Sequence, residues 1–144
     1  VLKDEPDKVV MIRQYRYPLD AYIYEFPAGC IDPGETKEMT AVREMKEETG
    51  LDFTVYEGGN DSLRNPFFIG PGFTDETDAS VFGYASGTVA DTQREDTETL
   101  EVIFVDKKEA RRILKEERVC LRAAYLLMQF LQMDASAPLA FLDV

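Results

Sequence analysis

Histidine is absent from this sequence of 144 residues. Without histidine, the chain can form neither a Ser-His-Asp nor a Cys-His nucleophilic site, and it cannot hold zinc through imidazole ligands. Any general base must therefore be a carboxylate or, less commonly, a lysine, tyrosine or cysteine. The candidate chemistry of this protein thus rests mainly on its acidic residues.

Cysteine is nearly absent as well, since Cys30 and Cys120 are the only two in the sequence. Two cysteines are too few for a disulfide framework or for a cysteine-ligated zinc site, and they suit a reducing compartment. We expect both to be small, buried apolar side chains without a chemical role.

Long apolar runs and an excess of positive charge are also missing. No run approaches the roughly 18 residues that cross a bilayer, and the first ten residues do not resemble a signal peptide. We therefore expect a cytoplasmic protein without a membrane partner. The net charge is −12, from 28 acidic and 16 basic residues, and such a field repels long nucleic acid. A phosphorylated small molecule remains compatible with this charge if divalent cations lie between it and the carboxylates.

The length and composition of the chain predict one domain over residues 1–144, because 44% of the residues are hydrophobic and the length suits a single core. Extended segments alternate with turn-rich stretches, and residues 57–78 form a long loop of the kind that is usually functional or mobile. Two helices are expected near the C-terminus, the first capped by Asp106 and Glu109 and ending near 116, the second in 119–133. The predicted strands lie in 7–18, 21–31, 51–59, 79–89 and 97–106.

A further helix is predicted over about 36–49, with Thr36 as its N-cap and Gly50 at its end. Its apolar residues Met39, Val42 and Met45 recur at helical spacing. We expect this stripe to face the core.

Three glutamates crowd the C-terminal half of that helix. At 100° per residue, Glu44, Glu47 and Glu48 fall within an arc of about 100°, beside the apolar stripe. Glu44 and Glu48 are four residues apart, where like charges are destabilising, and no basic residue stands at an equivalent offset from them. The cluster is either a solvated acidic face or a site for a hard cation such as Mg²⁺, which prefers oxygen ligands.

The residues around the glutamates favour the metal site. Gly29, Glu35 six positions later, and the stretch "REMKEETGL" at 43–51 together resemble the Nudix box at every defined position. A chance match is expected on the order of once in 10⁸ placements. The resemblance implies an α+β Nudix fold, a mixed β-sheet sandwiched between helices in α/β/α layers. It also implies hydrolysis of a nucleoside diphosphate linked to another moiety.

Three segments outside the box are similar to those of ADP-ribose pyrophosphatases: "RQYRYP" at 13–18, "EFPAG" at 25–29 and "PGFTDE" at 71–76. The implied substrate is ADP-ribose, cleaved to AMP and ribose 5-phosphate. Another nucleotide sugar, such as ADP-glucose or GDP-mannose, is an alternative within the same chemistry. A catalytically inactive nucleotide-binding regulatory module is an alternative of another class, although such modules typically lack a metal ligand.

The resemblance assigns roles to individual residues of the box. Glu44, Glu47 and Glu48 are implied as metal ligands for Mg²⁺, with Mn²⁺ as a substitute, and Glu47 is also placed among the catalytic residues. The backbone carbonyl of Ala28 is implied as a further ligand.

Residues around the box receive roles in the same way. Glu35 and Arg43 are implied as a structural ion pair, and Arg16 as a contact to substrate phosphate, to which an arginine fork is suited. Glu25 either assists substrate or metal or serves the fold. Glu76 is the expected general base, by resemblance to a loop glutamate of relatives and because histidine is absent.

Two further expectations concern an acidic segment near residue 96 and the start of the chain. The acidic residues Glu95, Asp96 and Glu98 are expected to form a solvated loop. The "RQYRYP" segment stands earlier than in ADP-ribose pyrophosphatases, so we expect that this chain lacks an N-terminal β region of relatives. That region is implied to support a homodimer in the full-length protein.

Overall fold

The structure is a computed structural model that describes residues 1–90 and 100–143. Its regular elements are short and alternate along the chain. The strands are β1 (Lys8–Arg16), β2 (Ala21–Glu25), β3 (Asp52–Val55), β4 (Phe67–Phe68), β5 (Thr77–Asp78), β6 (Gly83–Ser86) and β7 (Leu100–Asp106). The helices are α1 (Lys37–Thr49), α2 (Lys107–Glu116) and α3 (Leu121–Gln132).

The strand β1 is the centre of the fold. It pairs antiparallel with β2 on one side and with β7 on the other, so that Ile12 lies opposite both Glu25 and Val102. Two further antiparallel pairs, β3 with β6 and β4 with β5, lie outside this sheet. Isolated parallel bridges join Leu2 to Ala85 and Tyr24 to Val119, which gives the strand arrangement its mixed character.

Helices cover both faces of the central sheet. Val9 and Met11 of β1 pack in one cluster with residues of α2 and α3, whereas Val10 packs in a second cluster with Leu51 and with Met45 of α1. Alternate residues of a strand point to opposite faces, so burial on both faces requires a layer on each side. The predicted α/β/α layering is thereby confirmed.

The helix α1 has the predicted ends. The Thr36 side chain accepts a hydrogen bond from the Met39 N–H, and Gly50 adopts φ 78°, the left-handed conformation that favours glycine. The prediction that Met39 and Val42 face the core is wrong, because they are 54% and 41% exposed.

The buried face of α1 is polar instead, and it carries Thr40, Glu48 and Thr49. Hydrogen bonds satisfy these groups: the Thr49 hydroxyl donates to the Met45 carbonyl over 2.5 Å and accepts from the Leu51 N–H over 3.1 Å. Hydrophobic periodicity does not register such a face, because its burial depends on hydrogen-bond partners elsewhere in the chain.

The two C-terminal helices match their predictions. Asp106 caps α2 by accepting from the Glu109 N–H over 2.7 Å. The strand expected over 97–106 is described from Leu100 onward. Glu95, Asp96 and Glu98 lie outside the described residues.

The predicted loop at 57–78 contains ordered structure in the form of the short β4–β5 hairpin and a turn at Asp61–Arg64. The cysteine prediction is wrong for Cys30, which is exposed, because it lies in the irregular segment before α1. Cys120 is half-buried, and burial raises the pKa of its thiol. Within the described ranges, no helix is long and apolar enough to cross a membrane.

Candidate active site

The loop after β2 lies against the acidic face of α1. The Ala28 N–H donates a hydrogen bond to Glu48 Oε2 over 3.1 Å, and Glu48 is buried. Glu44 approaches the same loop so closely that a Cβ on Gly29 would lie 1.8 Å from Glu44 Oε1. Only glycine leaves room for that carboxylate, which gives the first residue of the box a steric explanation.

Arg43 compensates the charge of the other carboxylates. Its Nη1 donates to Glu44 over 2.6 Å and to Glu47 over 3.1 Å. On its other edge, Nε and Nη2 each donate to Glu35 over 2.9 Å. The Arg43 guanidinium thus donates hydrogen bonds to three carboxylates. Its contacts with Glu44 and Glu47 were not predicted from the sequence, where a partner was sought only at helical offsets from Glu44 and Glu48.

The contacts of Arg43 shift the ionisation of its partners. Hydrogen bonds from Arg43 and then from the Thr40 hydroxyl lower the pKa of Glu35 from 4.5 to about 2. The same carboxylates raise the pKa of Arg43 above its usual range. A hydrogen bond over 3.1 Å from Arg43 Nη2 to the Cys30 carbonyl also ties this pair to the loop that precedes α1.

Glu44, Glu47 and Glu48 are close to one another, but their carboxylates do not converge on one point. Across residues 1–90 and 100–143, no three acidic side chains converge closely enough to hold a metal ion. The side chains of Glu44 and Glu47 are turned toward Arg43, while Glu48 is turned toward Ala28. The glutamates, Ala28 and Gly29 are brought together in the fold, with their carboxylates engaged by hydrogen-bond donors.

A second charged group lies at the end of β2. Glu25 is only 3% exposed. Arg16 Nε and Nη2 both lie 2.8 Å from Glu25 Oε2, and Arg122 Nη2 lies 3.6 Å from Oε1. Arg122 Nη1 also donates to Asp78 of β5. Arg16 and Glu25, which the sequence analysis singled out separately, are therefore partners of each other.

Arg122 and Asp78 were not predicted from the sequence. A signal was present, because Arg122 is the only charged residue within the apolar stretch 119–133. A charge in such a stretch usually has a specific partner.

Glu76 lies on the β4–β5 hairpin and is exposed. Its carbonyl accepts a hydrogen bond from the Ile69 N–H over 3.1 Å, and its own N–H donates to the Thr74 hydroxyl over 3.2 Å. These two hydrogen bonds hold the Glu76 backbone in the hairpin, directly before β5.

A cavity of about 180 Å³ opens between the loop after β2 and α3. Its wall is mainly apolar, with Arg122 and Asp78 as its charged residues. The lining includes Phe26, Ala28, Met45 and Phe82. The cavity therefore shares Ala28 with the carboxylate group and shares the Arg122–Asp78 ion pair with the second charged group.

Comparison with known proteins identifies the family. Residues 1–128 match the NUDIX domain, and the chain belongs to the Nudix family. A hydrolase of the NUDIX family from Clostridium perfringens has a similar structure, with a TM-score of 0.61, 18% identity and 88% coverage of both chains. The fold is thus the α+β Nudix fold.

Two curated relatives align with most of the chain. The ADP-ribose pyrophosphatase of Bacillus subtilis (strain 168) is 34% identical over 128 residues, which are 88% of this chain and 66% of that protein. The methanol dehydrogenase activator of Bacillus methanolicus is 32% identical over 132 residues, 89% of this chain and 67% of that protein. The chain thus spans about two thirds of the length of these relatives.

Proposed function

We propose that this chain is a pyrophosphohydrolase that depends on a divalent cation and cleaves ADP-ribose, or a related nucleoside diphosphate sugar, to AMP and ribose 5-phosphate. The observation that supports the proposal is the placement of Glu44 and Glu48 beside the Ala28–Gly29 loop, with Glu47 joined to Glu44 through Arg43. A relative of 34% identity named ADP-ribose pyrophosphatase supports the substrate class.

The donor set fits a hard cation. Glu44, Glu47, Glu48 and the Ala28 carbonyl offer only oxygen, which suits Mg²⁺ and also Mn²⁺. The Gly29 position leaves space for Glu44 that a Cβ would fill. When bound, Mg²⁺ supplies charge neutralisation on the pyrophosphate oxygens and makes water more acidic. Because Arg43 contacts Glu44 and Glu47, a cation at this site would compete with Arg43 for both carboxylates.

The Glu35–Arg43 pair keeps Arg43 paired if a cation takes Glu44 and Glu47 from it. Arg43 is also bound to Glu35 by two hydrogen bonds of 2.9 Å, and these would not have to break if Glu44 and Glu47 bound a cation. The guanidinium therefore remains paired in both arrangements, and the loop before α1 stays attached to the helix. Glu35 and Arg43 act here as a structural pair and do not touch substrate.

The remaining charged residues handle the substrate. Arg16 has 42% of its side chain exposed, so one edge of its guanidinium can bind a phosphate while the other holds Glu25. Glu25, buried between two arginines, orients Arg16. Glu76 accepts the proton of the attacking water. A P–O bond forms to that water, the bridging P–O bond breaks, and the leaving phosphate takes the electron pair.

A panel of ADP-ribose, ADP-glucose and GDP-mannose tests the proposal, with release of AMP or GMP measured with and without Mg²⁺. We expect the highest kcat/KM for ADP-ribose and no release in the presence of chelator. A higher kcat/KM for another nucleotide sugar would contradict the substrate assignment. Tight binding of nucleotide without hydrolysis would support the regulatory alternative instead.

A further inference from the structure

Four charged side chains form a continuous series across four elements of the fold. The order is Arg16, Glu25, Arg122 and Asp78, and each adjacent pair is in ion-pair contact. Arg122 is the link between the two acidic residues. The series begins on β1 and ends on β5, the second strand of the hairpin that carries Glu76.

The backbone holds Arg122 in a fixed position relative to β2. The Tyr24 N–H donates to the Arg118 carbonyl over 2.9 Å, and Tyr24 forms a parallel bridge with Val119. The segment before α3 is thus an additional edge of the central sheet. Arg122, in the first turn of α3, starts from this edge and reaches both Glu25 and Asp78.

The hairpin, by contrast, has little packing of its own. Its strands are two residues each, and Phe67, Phe68 and Phe73 are largely exposed. Isolated two-stranded hairpins are marginal in water. A bond from its base to the rest of the fold therefore has a large influence on the position of its tip, and Arg122 makes such a bond to Asp78.

We infer that Arg122 is a positioning residue, which clamps the β4–β5 hairpin to Glu25 of the central sheet and so fixes Glu76 for the reaction. The inference rests on the proposed function for the role of Glu76. The clamp itself, defined as the contacts of Arg122 with Glu25 and Asp78, does not depend on that role. Arginine suits this position because its planar fork can bind two carboxylates at once, whereas lysine presents a single point charge.

The clamp is tested without any assay of activity, by hydrogen exchange at the amides of Ile69 and Thr74. Their N–H groups bond to the Glu76 and Gly70 carbonyls within the hairpin. We expect about 10-fold faster exchange in Arg122→Gln and in Asp78→Asn. Arg111→Gln is the matched control, since Arg111 is exposed on α2 and bonds to the Lys107 carbonyl; exchange in the hairpin should not change.

Asp78→Asn is included because Arg122→Gln could speed exchange simply by destabilising the whole fold. It leaves Glu25 with both arginines, so no buried charge loses its partners, whereas Arg122→Gln removes one partner of a carboxylate that is almost fully buried. Both variants should release the hairpin to a similar extent, and the double variant should release it no further. Unchanged exchange in Asp78→Asn would overturn the clamp.

The catalytic consequence has its own test. We expect Arg122→Gln and Asp78→Asn to lower kcat about 10-fold with KM changed less than about 3-fold, because a misplaced base affects the transition state more than binding. Arg122→Lys should recover only part of the loss. In a Glu76→Gln background, Arg122→Gln should cause no further loss, because its effect acts through Glu76.

The kinetic measurements distinguish failure of the positioning role of Arg122 from failure of the proposed function. An equal loss of kcat in both backgrounds would show that Arg122 does not act through Glu76, and would overturn the positioning role. If the wild-type chain hydrolyses no nucleotide sugar, the proposed function fails and the positioning role fails with it. The exchange measurement still decides whether the clamp exists.

Discussion

The Ala28 N–H donates to Glu48 Oε2 over 3.1 Å and so joins the loop after β2 to the acidic face of α1. The bond makes one unit of two segments that lie 20 residues apart in the sequence. It also brings the Ala28 backbone beside the glutamate cluster. The Ala28–Glu48 contact therefore defines the place at which the cation and pyrophosphate are proposed to bind.

Glu47→Gln and Glu48→Gln should each lower kcat by at least about 10²-fold, because each removes an anionic ligand that acts in the transition state. Without metal, Tm should change little, because the glutamine side-chain oxygen can still accept a hydrogen bond from Arg43 at position 47 or from the Ala28 N–H at position 48. Steady-state kinetics and thermal unfolding measure both effects. Glu38→Gln, on the first turn of the same helix, is the control; full activity in either cluster variant would contradict the ligand assignment.

Gly29→Ala should weaken Mg²⁺ binding about 10-fold or more, because its Cβ would lie 1.8 Å from Glu44 Oε1 and displace that carboxylate. Titration calorimetry with Mg²⁺ alone measures the effect. Gly72→Ala is a matched control, since its Cβ would meet nothing within 4 Å. Equal Mg²⁺ affinity of both variants would remove Glu44 from the site.

The Glu35–Arg43 pair predicts a dependence of stability on pH. The pKa of Glu35 is lowered from 4.5 to about 2 in the folded state, so its stabilisation is present above about pH 4.5 and is lost as the pH falls toward 2. Glu35→Gln should lower Tm near neutral pH, and the difference from wild type should shrink with acidification. A constant difference over this range, relative to the exposed control Glu57→Gln, would be inconsistent with the pair.

Glu76→Gln should lower kcat about 10²-fold or more at saturating substrate and Mg²⁺, with a smaller effect on KM, because a general base acts in the transition state. Asp75→Asn, at the adjacent exposed position, controls for the loss of one hairpin charge. Near-normal kcat in Glu76→Gln would transfer the role of base to another group.

The sequence predicted what local chemistry determines. The ends of α1 follow from Thr36 and Gly50, whose capping roles depend on a few adjacent residues. The exposure of Met39 and the burial of Glu48 did not follow from periodicity. The burial of Glu48 depends on the loop at Ala28, which supplies a hydrogen-bond donor from a distant part of the chain.

The partners of charged residues were the least predictable part of the site. Arg16 and Glu25 were assigned separately, and their contact does not follow from the β1–β2 register, which places Glu25 opposite Ile12 and Arg16 opposite Ala21. Arg122 lies 97 positions after Glu25 in the sequence, and no local pattern connects them. Such contacts depend on the packing of α3 against the sheet edge.

The central claim is that the chain cleaves a pyrophosphate bond with the help of a divalent cation at the α1 glutamates. Phosphorus NMR of ADP-ribose incubated with the chain of 144 residues tests it most directly. With Mg²⁺, we predict that the pyrophosphate resonances are replaced by two phosphomonoester resonances, and that chelator or Glu48→Gln prevents the change. Intact pyrophosphate after prolonged incubation with folded chain and saturating Mg²⁺ would contradict the claim.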